Sequence, residues 1–222
     1  KKQVHQVLLE KKVTSGVRAR VVMVIDKTFS MSALYRDGVV GELVERMTAV
    51  ATQLDDDGAL EAYMYAVQCA KLPDVTVDRA EEWVRDYVHL RGVRGGIDYD
   101  LLGGRNEELP ILSQVIADCR DSKDPVLVLF FTDGGFARGR RAIQKLITEA
   151  AVLPIFWQFI GIGKADFGAL TALDELSGRV VDNAGFFAVD DVSRISDDQL
   201  YRLLLSEFPD WLTAARHARV LR

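Results

Sequence analysis

The sequence is poor in the residues that most hydrolytic and redox sites depend on. Its three histidines, His5, His89 and His217, are scattered over 222 residues. None stands beside an obvious nucleophile, and no G-x-S-x-G elbow occurs. A phosphate loop of the G-x-x-x-x-G-K-S/T type is also missing. The two cysteines, Cys69 and Cys119, lie far apart, outside metal-type spacing and among apolar neighbours. They read as buried free thiols, which fits a reducing cytoplasm better than a disulfide does. No run approaches the roughly 18 apolar residues of a membrane span, and no signal-peptide pattern is present. Basic residues are not in excess either, with 28 Lys and Arg against 33 Asp and Glu for a net charge of −5. That balance disfavours a general nucleic-acid binder, whose affinity comes mainly from neutralised phosphates.

What is present is an ordinary globular composition, 49% hydrophobic and 27% charged, with enough length for a sizeable core. The chain starts at Lys1 without a methionine, which suggests a piece of a longer protein with a domain upstream. Arg20–Asp26, Leu60–Val67, Pro125–Asp133 and Pro154–Ile162 are near-continuous apolar runs. Such runs are expected of parallel strands covered on both faces. Asp74–Val77 and Val180–Val189 read as further short strands. Between them, Gly38–Leu54 carries Val40, Leu43, Val44, Met47, Val50, Ala51 and Leu54 at helical spacing. Arg79–Leu90, Glu107–Cys119, Arg140–Ala151, Ser196–Glu207 and Pro209–Arg219 also read as helices, with Pro209 suited to a first turn. The alternation predicts an α/β fold, a doubly wound and mostly parallel sheet flanked by helices. Residues 20–222 form one domain in this reading, and residues 1–19 a linker or packed arm.

In an open parallel sheet, ligands bind beyond the carboxyl ends of the strands. Two of the runs end there in aspartate. After the first comes Asp26-Lys27-Thr28-Phe29-Ser30, where the alternating Asp26, Thr28 and Ser30 can turn their oxygens to one point. A carboxylate with two hydroxyls is a hard, oxygen-only donor set. It suits Mg²⁺ or Mn²⁺, and Ca²⁺ with more difficulty. Asp133, in Phe130-Phe131-Thr132-Asp133-Gly134-Gly135, can reach the same crevice, and the two glycines permit a sharp exit. A divalent ion held by so few carboxylates keeps positive charge and an open position that a partner's acidic side chain can fill.

These residues carry a family resemblance. DKTFS resembles the D-x-S/T-x-S motif that opens the metal-ion-dependent adhesion site (MIDAS) of von Willebrand factor A (vWA) domains, and TDGG resembles a later element of that site. The carboxyl-terminal stretch, from PIFWQFIGIG through ISDDQLYRLLLSEFPDWL, is similar to the vWA branch of the bacterial tellurium-resistance (TerF-like) proteins. The resemblance implies a metal-dependent protein-interaction module of a tellurium-resistance or stress-response protein, not an enzyme, with Mg²⁺ as the expected ion. It implies a protein partner offering an acidic residue, with other Ter-system proteins as candidates. Two departures stand out. Phe29 replaces the usual glycine, and it either forms an apolar lip beside the ion or packs down. In the G-G-T-N-like loop, here Gly103-Gly104-Arg105-Asn106, Arg105 replaces the threonine, leaving Asn106 as the nearest substitute ligand. A guanidinium about 5 Å from a divalent ion would be repelled by roughly 6–7 kcal/mol at an effective dielectric near 20. Arg105 is therefore expected to point away, or partly to replace the ion as an anion receptor. Together with Phe29 it is a candidate for partner contact.

Blander and rival readings stand beside this one. Asp26 and Asp133 could be helix caps or loop anchors. Gly161-Ile162-Gly163-Lys164-Ala165-Asp166-Phe167-Gly168 resembles a dinucleotide fingerprint but places Asp166 where the third glycine belongs, so a structural turn is favoured. Asp182-Asn183 and Asp190-Asp191 suit turns and caps as readily as a second ion. Asp55-Asp56-Asp57-Gly58 reads as a solvated turn, and Trp157, Phe186, Phe187 and Trp211 as core. The rival function is a metal-dependent phosphatase or nucleotide-handling enzyme. A nucleophilic Asp26 would want a second acid two residues on, where Thr28 stands.

Overall fold

The computed structural model describes residue 6 and residues 18–221, apart from 56, 135 and 137. The expectations for residues 1–5 and 7–17, Asp56 and Gly135 lie outside the described residues. Strands β1 (Arg20–Asp26), β2 (Leu60–Tyr65), β3 (Cys69–Val75), β6 (Val126–Thr132), β7 (Ile155–Ile162) and β8 (Ala184–Val189) form one sheet in the order β3-β2-β1-β6-β7-β8. All neighbours run parallel except β2 and β3. A separate two-stranded hairpin, β4 (Val93–Arg94) with β5 (Ile97–Asp98), follows the helix Ala80–Tyr87.

Because side chains alternate across a strand, a sheet covered on both faces buries every residue of its central strands. In β1, Val21, Met23 and Ile25 join one core while Val22 and Val24 join the other. The first core is closed by α2 (Val39–Leu54), α3 (Ala80–Tyr87), α7 (Asp197–Leu204) and α8 (Phe208–His217). The second is closed by α4 (Glu108–Cys119), α5 (Arg140–Glu149) and α6 (Gly168–Asp174). A short α1 (Ser32–Arg36) follows the end of β1. This is the doubly wound arrangement the apolar runs predict.

Some edges differ from the expectation. Of the short strand expected at Asp74–Val77, only Asp74 and Val75 are extended, as the end of a seven-residue antiparallel β3 whose two buried side chains give no apolar run to read. Its first residue, Cys69, is consequently half-buried, while Cys119 is fully buried; both thiols are free. Pro209 does lie in the first turn of α8. The Gly161–Gly168 segment is a structural turn: Gly163 has a φ of +95°, and the Gly168 N–H donates to Asp166 Oδ1 at 2.9 Å. Asp182 pairs with Arg179 at 2.6 Å, and the buried Asn183 donates to the Ile147 carbonyl. Trp157 and Trp211 are core, whereas Phe186 and Phe187 are only partly covered.

The chain fills the sheet outward from β1, first towards β3 and then, from β6, towards β8. Their adjacent carboxyl ends are therefore the topological switch point, where the two sets of connecting loops part and leave a crevice. Asp26 ends β1 and Asp133 follows β6, so the fold itself delivers both aspartates to that crevice.

Candidate metal centre

Asp26 is fully buried and is anchored on several sides. Its Oδ1 accepts the Thr28 N–H at 2.7 Å. Its Oδ2 accepts from the Thr132 hydroxyl at 2.8 Å, the Asn106 amide at 3.2 Å and the Tyr65 hydroxyl at 3.3 Å. The carboxylate thus keeps its one free lone pair on Oδ1, since each oxygen offers about two. The Thr28 N–H bond is also what bends the chain after β1. Thr28 is extended, and a single 3-10 turn over Phe29–Met31 follows.

That bend brings the expected oxygens together. Thr28 Oγ1 and Ser30 Oγ lie 3.0 Å apart, and Ser30 Oγ donates to Asp133 Oδ1 at 2.8 Å. Asp26, Thr28, Ser30 and Asp133 therefore line one continuous polar seam across the ends of β1 and β6. Asn106 reaches the same seam through its amide donor to Asp26. Arg105 is exposed and lines a cleft together with Thr28, Phe29 and Ser30. Phe29 is 62% exposed and its ring sits against Gly104, where an added Cβ would collide with it. It is a lip, not a core residue.

Burial raises the pKa of Asp26, against the pull of its hydrogen bonds, and the same cause raises Asp133, with Asp26 repelling it as well. The nearest cation is not free to neutralise them. Lys27 is 2% exposed, and its Nζ donates to the Tyr99 carbonyl at 2.8 Å and the Gly103 carbonyl at 2.5 Å. A third carboxyl, Glu108 at the start of α4, is buried with both oxygens unpartnered, and burial pushes it up to about 7. Carboxylate and hydroxyl oxygens thus gather at the seam while the lysine between them is held by backbone carbonyls, the chemistry that a divalent ion would complete. Among the described residues, no three His, Cys, Asp or Glu side chains gather at one point. The residues fit an ion held by one or two carboxylates and hydroxyls, which is how Mg²⁺ is commonly bound.

Sequence reasoning missed Thr132, Tyr65, Lys27 and Glu108. Thr132 adjoins the Asp133 motif, so its hydroxyl was in view. Tyr65 could be found only through the strand pairing that sets it opposite Asp26. The seam opens into a cleft of about 520 Å³ lined by Thr28, Phe29, Ser30, Val67, Gly104, Arg105, Asn106, Glu107 and Arg138.

With this geometry established, comparison with known proteins is informative. A family model described as the vWA domain found in the TerF C terminus matches residues 18–221. The uncharacterized protein YcbR of Bacillus subtilis (strain 168) is 38% identical over 227 residues, covering 98% of this chain and 87% of that protein. Among solved structures, BatB from Bacteroides thetaiotaomicron matches with a TM-score of 0.59 at 13% identity, covering 85% of this chain and 98% of that one. Proximal thread matrix protein 1 from the mussel byssus, in a form with a zinc-occupied MIDAS motif, matches with a TM-score of 0.57 at 16% identity over 85% of this chain. This chain spans about half the length of that mussel protein, with 47% of it covered. The structural likenesses show the fold, and the family model with the Bacillus relative shows the lineage: the chain belongs to the vWA-TerF-like family.

Proposed function

We propose that the chain is a metal-ion-dependent protein-interaction module, which holds a divalent cation between Asp26, Thr28, Ser30 and Asp133 and offers its open coordination position to an acidic side chain of a partner. The observation that carries this reading is the seam of four oxygen-bearing side chains at the switch point. Mg²⁺ is the expected ion, with Mn²⁺ and Ca²⁺ as substitutes, and Asn106 takes part by orienting Asp26. The bound ion would supply a Lewis-acidic position. The chain's own residues hold Asp26 ionisable, keep Lys27 out of the crevice and close one side with Phe29. A zinc-occupied MIDAS in the mussel protein supports the kind of site, and the family's name supports a setting in bacterial tellurium resistance or stress response, with other Ter-system proteins as candidate partners.

The reading is of a binder, not an enzyme. Asp26 as a nucleophile would want a second acid two residues on, and Thr28 stands there instead. Among the described residues no helix is long and apolar enough to cross a membrane. With two free thiols, a cytoplasmic location is the reading we adopt. Calorimetry with Mg²⁺ and Mn²⁺ tests the proposal. Wild type binds one ion and Asp26→Ala binds none, with the variant's fold checked by circular dichroism; a folded wild type that binds neither ion sinks it.

A further inference from the structure

The crevice is flanked by two clefts of unlike charge that meet at the Ser30–Asp133 hydrogen bond. On one side, Arg105 and Arg138 are both exposed and line the cleft with the Phe29 lip. Arg91 sits over the outer edge of that lip, its guanidinium carbon 5.9 Å from the Phe29 ring centroid. The one acid lining this cleft, Glu107, faces Arg138 at 3.6 Å. The nearby acids of the hairpin loop are spent on turns: Asp98 accepts from the backbone of Asp100, and Asp100 from that of Gly92. On the other side lies a cleft of about 590 Å³ lined by Asp37, Glu42, Asp133, Asp190 and Asp191, with Lys164 as its only lining cation among the described residues. Lys164, Arg36 and Arg194 pair with Asp190, Asp37 and Asp191, but all three pairs are solvent-exposed and weak competitors. Glu42 has no such pair among the described contacts.

We infer that the module reads more than the single metal-bridging acid: it selects an acidic partner segment whose further carboxylates leave the metal over Phe29 towards Arg105 and Arg138. The inference rests on the metal-dependent reading above. Its physical basis is complementarity on one side and repulsion on the other. Carboxylates following the bridging residue meet forked guanidinium donors in the first cleft. In the second they would meet like charge, which sets the direction of the segment as well as its composition. Phe29 and the partly covered Val67 supply an apolar floor, so an apolar side chain beside the bridging acid has a place to rest.

The test uses two fluorescein-labelled peptides, each with one central aspartate, flanked by glutamates in one and by lysines in the other. Fluorescence anisotropy is read with Mg²⁺ and with a chelator, for wild type and for the pair R105E and R138E. Both arginines are exposed, so the double variant is expected to fold, and its Mg²⁺ affinity should not fall because a repelling charge has been removed. The expected result is Mg²⁺-dependent binding at least tenfold tighter for the glutamate peptide, a preference lost or reversed in the double variant. Equal binding of both peptides in Mg²⁺ overturns this inference and leaves the metal reading intact. A preference that is unchanged by the chelator and by D26A overturns the metal reading, and this inference with it. Failure of both peptides to bind a protein that calorimetry shows to hold Mg²⁺ also overturns the inference.

Discussion

At the scale of single residues, the position that departs most from its family's pattern is Arg105, which stands where a threonine hydroxyl is usual. Arg105 is exposed in the cleft, where solvent screens much of the cost of having it there. At about 10 Å in water-like surroundings, a guanidinium still repels a divalent ion by roughly 0.8 kcal/mol. Arg105→Thr removes this repulsion and adds a hydroxyl that can ligate directly or through water. Mg²⁺ affinity measured by calorimetry at low salt should rise about three- to tenfold, and the difference between variant and wild type should narrow as salt is raised. An unchanged affinity at low salt would mean that Arg105 does not weaken the site. The arginine would then be retained for the partner, at no expense to the metal.

At the scale of elements, Lys27 shows how two loops are made into one site. It lies between two of the candidate ligands, yet its ammonium leaves them and runs into the 99–104 segment, where the Tyr99 and Gly103 carbonyls receive it. The Phe29 N–H adds a third tie, to the Gly104 carbonyl at 3.0 Å. These bonds set the height at which Asn106 meets Asp26. Lys27→Met keeps much of the side-chain volume but leaves both carbonyls without their donor, a loss of about 1–3 kcal/mol in urea unfolding. Metal affinity should fall by up to tenfold in the same variant, because the orienting partner of Asp26 is loosened. A variant that loses stability while binding Mg²⁺ at full strength would show that the 99–106 segment does not support the ion.

Lys27 also marks where reading the sequence stopped. The strands of the sheet's middle were legible because parallel strands buried on both faces must be apolar throughout, and Asp26 and Asp133 were legible because a polar residue ending such a run has to meet solvent or a ligand. The hydroxyls of Thr28 and Ser30 followed from their phase with Asp26. Lys27, Glu108 and Tyr65 were not legible, since a lysine in a loop, a glutamate opening a helix and a tyrosine in a strand are ordinary in those places. Their roles come from contacts distant in sequence or from strand register, as in Lys27 with Tyr99, 72 residues on, and Tyr65 with Asp26. The β4–β5 hairpin was missed for a different reason: its strands are two residues each, too short for any periodicity.

At the scale of the whole molecule, the far end of the sheet carries a second concentration of acid that bears on stability and not on the metal. Glu207, just before α8, lies against β8, where a Cβ on Gly185 would come 2.7 Å from its Oε1. Burial pushes its pKa up to about 7, and Asp174, Asp182 and Asp210 add repulsion. Arg179 opposes the shift but is already engaged by Asp182 and by the carbonyls of Leu176 and Asp174. The folded protein therefore holds the proton of Glu207 more tightly than the unfolded chain does, whose carboxyl titrates near 4.5. Below pH 4.5 both states are protonated and Glu207 costs nothing. As pH rises from about 4.5 to about 7 the unfolded state gains by ionising first, so this contribution to stability is lost across that window. Glu207→Gln removes the ionisation while keeping the shape. The stability of the variant relative to wild type, from urea unfolding at pH 5, 6, 7 and 8, should climb with pH and level off above about 7. Below about pH 7 the folded Glu207 is itself mostly neutral, so Gln gives up no charge at the start of α8 there, and the slope of the difference reports on burial. A difference that stays flat from pH 5 to 8 would show that Glu207 ionises as freely in the folded protein as in the unfolded chain, and that the crowding of acids around Gly185 is relieved by solvent.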